Sequence, residues 1–426
     1  MTINRENMIV TVAGGGNAAH VLLGLLGAHP RVKAVRLWNV MEKEIETWTT
    51  SLAERDNQVV VRHALGDKPD TVGLVEKVSV EAADILPGTD MLLIAVPAFA
   101  HEVYITKAAP FMKVGMMLGT MVAEGGFDWS VRDILGKRFT DVTTFAMETL
   151  PWACRLEEYG HSAVIGGTKD LVHVAVSPRD KASEVCEILV DLISLPQSTN
   201  STKALPKFED LGCWLSATVM NVNSLFHPAI VQGAFEDFDG VTPYSDKLPF
   251  YEGVQDNAAN MIEAIGEDCM AVKAALEKAM PDLNLFGIKP IKQFFFDAYP
   301  DSIQDFRQDL QRFFFLPSLS SLRAALNTNL AYRGLKHTMN EVEGGYVPSW
   351  KARYLTEDIP FGLVPTRGIA EVLNVATPAI DNAIIWCQEK LGKEYLMDGK
   401  LEGKHISECR CPQRYGLTTL DDIVTA

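Results

Sequence analysis

Gly14-Gly15-Gly16-Asn17-Ala18-Ala19 stands between a short β-branched run, Met8 to Ala13, and a stretch with helical apolar spacing, His20 to Ala28. The order glycine, any residue, glycine, any two residues, alanine lets a backbone approach a pyrophosphate closely. Gly14 permits the tight turn, Gly16 leaves no side chain in the path of the phosphates, and small Ala19 lets the helix lie close to the sheet. The helix N-terminus then offers N–H groups and a partial positive charge to phosphate oxygens. The competing reading is a glycine-rich turn with no ligand. The strand–turn–helix setting favours a dinucleotide, which makes Gly14, Gly15, Gly16, Asn17, Ala18 and Ala19 candidate cofactor residues.

Two further places bear on the cofactor. NAD-binding versions of this motif usually end the second strand in an Asp or Glu that holds the ribose 2′-hydroxyl. Here the strand candidate Val32 to Trp38 is followed by Asn39, which can bond that hydroxyl more weakly than a carboxylate. No Arg directly follows to meet a 2′-phosphate, although Lys43 is close, so NADH is expected over NADPH. Val96-Pro97-Ala98-Phe99 ends an apolar run, and Pro97 and Phe99 are candidates to line the nicotinamide side. The alternative there is an ordinary strand-to-loop turn.

These residues need a scaffold. Val32 to Trp38, Asp90 to Val96, Met116 to Gly119 and Val142 to Ala146 read as strands, with helices at His20 to Ala28 and Glu42 to Glu54. Apolar strands between helices predict a parallel sheet covered on both faces, a Rossmann-type domain. From about Glu209 helical spacing dominates, as in Val254 to Met280 and in Ile369 to Leu391, the latter interrupted by Pro378. The fold class is therefore α/β: an N-terminal domain over 1–200 and a helical domain over 201–426. Gln197 to Lys207 is the linker candidate.

Composition narrows the function classes. The chain has 426 residues, enough for two domains, and its net charge of −16 argues against nucleic acid or anionic lipid as a partner. No basic segment precedes an apolar core at Met1 to Asn7, and the apolar run Met91 to Ala100 is broken by Pro97. Neither a signal peptide nor a membrane span is expected. Seven scattered cysteines suit a reducing compartment, hence a cytoplasmic location. Cys409-x-Cys411 lacks a second ligand pair at zinc-finger spacing, so free thiols and no metal are expected.

Several longer strings carry more information. In chain order they are Gly14-Gly-Gly-Asn17, Val96-Pro-Ala-Phe-Ala-His-Glu102, Glu148-Thr-Leu-Pro-Trp-Ala-Cys-Arg155, His227-Pro-Ala-Ile230, Arg353-Tyr-Leu-Thr-Glu-Asp-Ile-Pro360 and Cys411-Pro-Gln-Arg-Tyr-Gly416. Together, over nearly the whole chain, they resemble the octopine dehydrogenase family, the opine dehydrogenases of marine invertebrates. The resemblance implies a Rossmann domain and a helical opine domain. It also implies reductive condensation of pyruvate with an amino acid or a taurine-like amine, using NADH, in a monomer.

Residue by residue, the resemblance makes His227 the acid/base group, Asp358 the carboxylate that orients it, and Arg353 the grip on the keto acid carboxylate. Reduction of a C=N bond by hydride requires a proton carrier near neutrality, which histidine provides. Pro228 is expected to hold His227 at a bend, because the residue before a proline avoids helical geometry. Without the resemblance, His227 reads as a satisfied helix-end histidine, and Arg353 with Asp358 as a surface ion pair. Glu148 and Thr149 match the family's amino-acid site, or Glu148 is structural. Asn223 replaces an aromatic residue of the octopine-type pocket, Asn221 is a nearby polar wall, and Glu124 replaces a neutral amide near the substrates. These departures favour a small amine such as alanine, glycine, β-alanine or taurine over arginine. Two alternatives remain open: a relative of glycerol-3-phosphate and 6-phosphogluconate dehydrogenases, with a lysine such as Lys203 or Lys207 as acid/base, and a non-catalytic NADH sensor.

Overall fold

The computed structural model describes residues 5–64, 68–196, 204–298, 321–329 and 332–424. The chain divides into two compact units, one ending at Ala217 and the other beginning at Thr218.

The first unit is built on the expected alternation of strands and helices. Its strands are β1 (Met8–Ala13), β2 (Val32–Trp38), β3 (Gln58–His63), β4 (Thr71–Leu74), β5 (Lys77–Ser79), β6 (Met91–Ile94), β7 (Met117–Thr120), β8 (Thr143–Met147), β9 (Trp152–Glu158), β10 (Ser162–Thr168), β11 (Leu171–Ser177), β12 (Leu195–Pro196), β13 (Ala204–Leu205) and β14 (Lys207–Asp210). The main sheet has the order β14-β11-β8-β7-β6-β1-β2-β5. Neighbours from β5 to β8 are parallel; β11 is antiparallel to β8, and β14 is parallel to β11. Met91–Ile94 and Met117–Thr120 are buried at every residue, because helices cover both faces of the sheet. Val10, Val12, Leu22 and Leu26 belong to the core on one face, and Leu92, Ile94, Ile105 and Phe127 to the core on the other.

β1 lies between β6 and β2, where the chain turns from building one half of the sheet to building the other. Such a reversal opens a crevice at the carboxyl ends of the strands, where dinucleotides bind in this class of sheet.

A second, four-stranded sheet of order β4-β3-β10-β9 packs on the helix Asn17–Gly27. Helix and sheet meet backbone to backbone. A Cβ on Gly24 would stand 2.4 Å from Val61 Cγ2, and one on Gly73 would stand 2.3 Å from the Gly24 carbonyl oxygen. The alternation used to read the sequence does not reveal this sheet, whose strand order crosses a long stretch of chain.

The division expected at 200/201 is corrected by β14. Lys207–Asp210 pairs with β11 and completes the main sheet, so the first unit continues to Ala217. Of the linker candidate, residues 197–203 lie outside the described residues, and with them Lys203. Ala204–Leu205 pairs with Leu195–Pro196 as a two-stranded ribbon.

The second unit is helical, with principal helices Val222–Phe235, Asp256–Ala279, Val364–Val372 and Pro378–Leu391. Val222–Phe235 packs against Asp256–Ala279 and against Pro378–Leu391. Pro378 starts its helix, where its missing N–H costs nothing. Asp268 Oδ2 caps that helix from the neighbouring one, accepting from Ala379 N at 2.8 Å and Ile380 N at 2.9 Å. The unit is not purely helical: β15 (Met339–Val342) and β16 (Gly345–Pro348) form an antiparallel hairpin around Gly344 and Gly345, both at positive φ.

Candidate active site

The glycine loop of the first unit fits a dinucleotide on its own geometry. Gly14 has φ +115°, and a Cβ there would lie 2.6 Å from the Ala95 carbonyl oxygen. Gly16 caps the helix Asn17–Gly27 without any side-chain cap hydrogen bond, and a Cβ on it would meet nothing within 4 Å. The helix start is thus open and uncapped beside Gly16, and helix N-termini of this kind offer their N–H groups to phosphate oxygens. Asn17 Oδ1 accepts from Leu156 N at 3.1 Å, fixing the helix start to β9, while Ala19 is buried and Ala18 half-buried.

His20 holds this loop. Gly160 N donates to its Nε2 at 2.8 Å, so the ring proton sits on Nδ1, which donates to the Gly16 carbonyl at 2.9 Å. Burial lowers its pKa to about 4, so the ring is neutral near pH 7. His337 in the helical unit, edge-on to Phe235 and Phe250, is also lowered by burial to about 4. The unfolded chain binds these protons near pH 6.5, so stability is full above that pH and falls as pH drops toward 4. The unfolding free energy from urea melts should fall between pH 6.5 and 4.5 by at most about 1.4 kcal/mol per pH unit for each histidine. His337→Gln should flatten part of that slope; an unchanged slope would contradict the assignment.

Around the loop, Asn39 is buried and engaged. Its Oδ1 accepts from Met41 N at 3.0 Å and Tyr104 OH at 3.2 Å, and its Nδ2 donates to Glu44 Oε2 at 2.6 Å. Pro97 precedes the helix Ala98–Ala108, and Phe99 in its first turn is 62% exposed. Glu148 Oε1 accepts from His173 N at 3.0 Å and bonds His173 Nδ1 at 2.8 Å, tying β8 to β11. Thr149 Oγ1 accepts from Lys169 Nζ, whose pKa burial lowers to about 8 against the pull of Glu148. Glu124 is buried in the loop after β7.

In the second unit, His227 and Asp358 come together. His227 Nδ1 donates to Asp358 Oδ2 at 2.7 Å across 131 residues of chain. Asp358 is buried, which pushes its carboxyl up, while His227 pulls it back. A turn of π-helix, Ile359–Leu363, follows directly, with Leu363 N bonding the Asp358 carbonyl at 3.0 Å. Such turns often re-aim a side chain at a functional position. On the other side of the ring, Tyr251 OH lies 2.9 Å from Nε2, and the Tyr354 ring is 4.5 Å away.

One expectation, the bend at His227, and one alternative, the Arg353–Asp358 surface pair, need correction. His227 is not at a bend: the helix Val222–Phe235 runs through Pro228, which is buried with Leu225, Phe226 and Ile230. Packing of that helix overrides the local preference of the residue before proline. Arg353 does not pair with Asp358. Its Nε bonds Glu357 Oε2 at 2.5 Å and its Nη2 the same oxygen; Glu357 is buried while the guanidinium side chain is 66% exposed. Asn223 lies one helical turn before His227, whereas Asn221 is the buried N-cap of that helix, beside Gly362. Sequence reasoning missed Tyr251 and Glu357. The i,i+4 spacing of Arg353 and Glu357 was a usable signal, but nothing near Tyr251 pointed to His227.

The model of the NAD/NADP octopine/nopaline dehydrogenase alpha-helical domain matches residues 212–391. Octopine dehydrogenase of Pecten maximus is 35% identical over 416 residues, 98% of each chain. The chain belongs to the octopine dehydrogenase family. Tauropine dehydrogenase of Arabella iricolor is 34% identical over 98% of this chain and 100% of its own. A solved octopine dehydrogenase with NADH and L-arginine superposes with a TM-score of 0.85 at 33% identity, covering 98% of both chains. As a member of this family the chain is an NAD-dependent opine dehydrogenase, an oxidoreductase acting on CH–NH bonds. The phosphorylated-substrate and sensor alternatives give way to it. Among the described residues no helix is long and apolar enough to cross a membrane, no metal-binding cluster occurs, and the seven cysteines are free.

Proposed function

We propose that this chain reductively condenses pyruvate, or a close keto acid, with a small amine, and that His227, Asp358 and Arg353 carry the chemistry. The observation that supports this most is the His227 imidazole, held at Nδ1 by buried Asp358, five residues after Arg353. NADH, when bound, supplies the hydride that reduces the C=N carbon. Asp358 fixes the tautomer with the proton on Nδ1 and would stabilise the imidazolium. Nε2 is then the nitrogen that exchanges a proton with substrate, and Tyr251 OH donates to it until substrate arrives. Arg353, with its guanidinium oriented by Glu357, presents its remaining N–H groups to a carboxylate.

Asn223 on the His227 helix supports a small amine, since a short polar side chain there leaves no apolar wall for a long substrate stem. Octopine and tauropine dehydrogenases stand at nearly equal identity, 35% and 34%, so the amine has to be measured. The test is a steady-state panel of alanine, glycine, β-alanine, taurine and arginine with pyruvate and NADH. Taurine or a small amino acid should give the highest kcat/KM. A clear preference for arginine would refute the small-amine reading, and no amine-dependent NADH oxidation would refute the function. The acidic surface and free thiols support a cytoplasmic monomer that binds neither nucleic acid nor membrane, to be checked by light scattering.

A further inference from the structure

We infer that Glu44, in the first turn of the helix Glu42–Ala53, supplies the carboxylate missing from the end of β2, and that its fixed charge makes the nucleotide site take NADH and reject NADPH. The position where NAD-selective sheets usually carry an acid holds Asn39. Asn39 is itself the tether: its Nδ2 donates to Glu44 Oε2 at 2.6 Å. A second donor, Tyr159 OH, reaches the same oxygen at 2.7 Å from the turn after β9. An Asp at position 39 would set two carboxylates against each other, so the amide and the displaced acid work as a pair.

The place of this carboxylate is what makes it a selector. A Cβ on Gly15 would lie 2.7 Å from Glu44 Oε2, 2.9 Å from Asn39 Nδ2 and 2.6 Å from Tyr159 OH. The carboxylate thus lies against the second residue of the glycine loop, next to Gly16, whose open side receives the pyrophosphate. The adenosine ribose hangs from that pyrophosphate, so its 2′-hydroxyl falls in this neighbourhood. Glu44 Oε1 has no hydrogen bond from any described residue and can accept from that hydroxyl. A 2′-phosphate would be driven against a like charge that two hydrogen bonds keep from swinging away. Lys43, its neighbour in sequence, is exposed.

The inference concerns nucleotide binding alone and stands or falls apart from the imine chemistry. NADH and NADPH are titrated separately by nicotinamide fluorescence, with no keto acid or amine present, on the wild type, Glu44→Gln and Tyr159→Phe. The wild type should bind NADH at least about 100-fold more tightly than NADPH, and the gap should shrink at high salt. Glu44→Gln should weaken NADH about tenfold, the scale of one hydrogen bond to a charged group, without weakening NADPH. Tyr159→Phe keeps the charge and frees one tether, and should lower the ratio by a smaller factor. The ratio is read on one preparation, so a partly unfolded variant does not disguise it. Equal weakening of both nucleotides in Glu44→Gln would show that Glu44 only props the loop and would overturn the inference, as would a wild type that binds both alike.

Discussion

Replacing His227 with alanine should lower kcat by two or more powers of ten and leave the NADH dissociation constant nearly unchanged. The size follows from general acid–base catalysis, which contributes roughly 10²–10⁴-fold. The separation of effects follows from placement: the imidazole is on the helix Val222–Phe235 of the second unit, while the glycine loop belongs to the first. Asp358→Asn should act in the same direction by disturbing the tautomer. Its buried site also costs stability when a carboxylate partner is lost, so the variant must be compared at equal folded fraction. The alanine variant leaves a small void beside the Tyr354 and Phe250 rings and strips buried Asp358 of its imidazole partner, so it too is compared at equal folded fraction. Stopped-flow reduction and fluorescence titration check both halves. A variant that loses NADH affinity but turns over normally once saturated would contradict the role given to His227.

Arg353→Ala should raise KM for the keto acid by about 100-fold, with a much smaller effect on KM for the amine. A guanidinium holding a carboxylate through two charge-assisted bonds contributes roughly 3 kcal/mol or more, and each 1.4 kcal/mol is about tenfold. Arg353→Lys should recover only part of this, because an ammonium is a point charge without the planar fork. Glu357→Gln gives the complementary test. In this reading Glu357 is a positioning residue, holding the guanidinium through Nε and Nη2. Its loss should raise the keto acid KM several-fold while kcat stays within a factor of a few. If Arg353→Ala leaves the keto acid KM unchanged, the carboxylate is gripped elsewhere.

The sequence by itself determined the features that rest on local physics. The glycine loop, the alternation of β1, β2, β6, β7 and β8 with helices, and the interruption of the Ile369 to Leu391 stretch at Pro378 all follow from periodicity and from the conformational demands of Gly and Pro. The long strings added His227, Asp358 and Arg353 as candidates. Tertiary structure decided which of these meet and what surrounds them. His227 and Asp358 are 131 residues apart, and no local signal pairs them. Tyr251 reaches Nε2 from outside the helix that carries the histidine. Arg353 turned from Asp358 to Glu357 because the two lie one helical turn apart on the same face. Pro228 stays inside a helix because packing outweighs the preference of its neighbour. Glu44 takes over from Asn39 only through hydrogen bonds gathered from β2 and from the turn after β9. The His227–Asp358, His227–Tyr251 and Glu44–Tyr159 contacts each bring groups distant in the chain within about 3 Å, the reach of a hydrogen bond, and a one-dimensional pattern carries no measure of that distance.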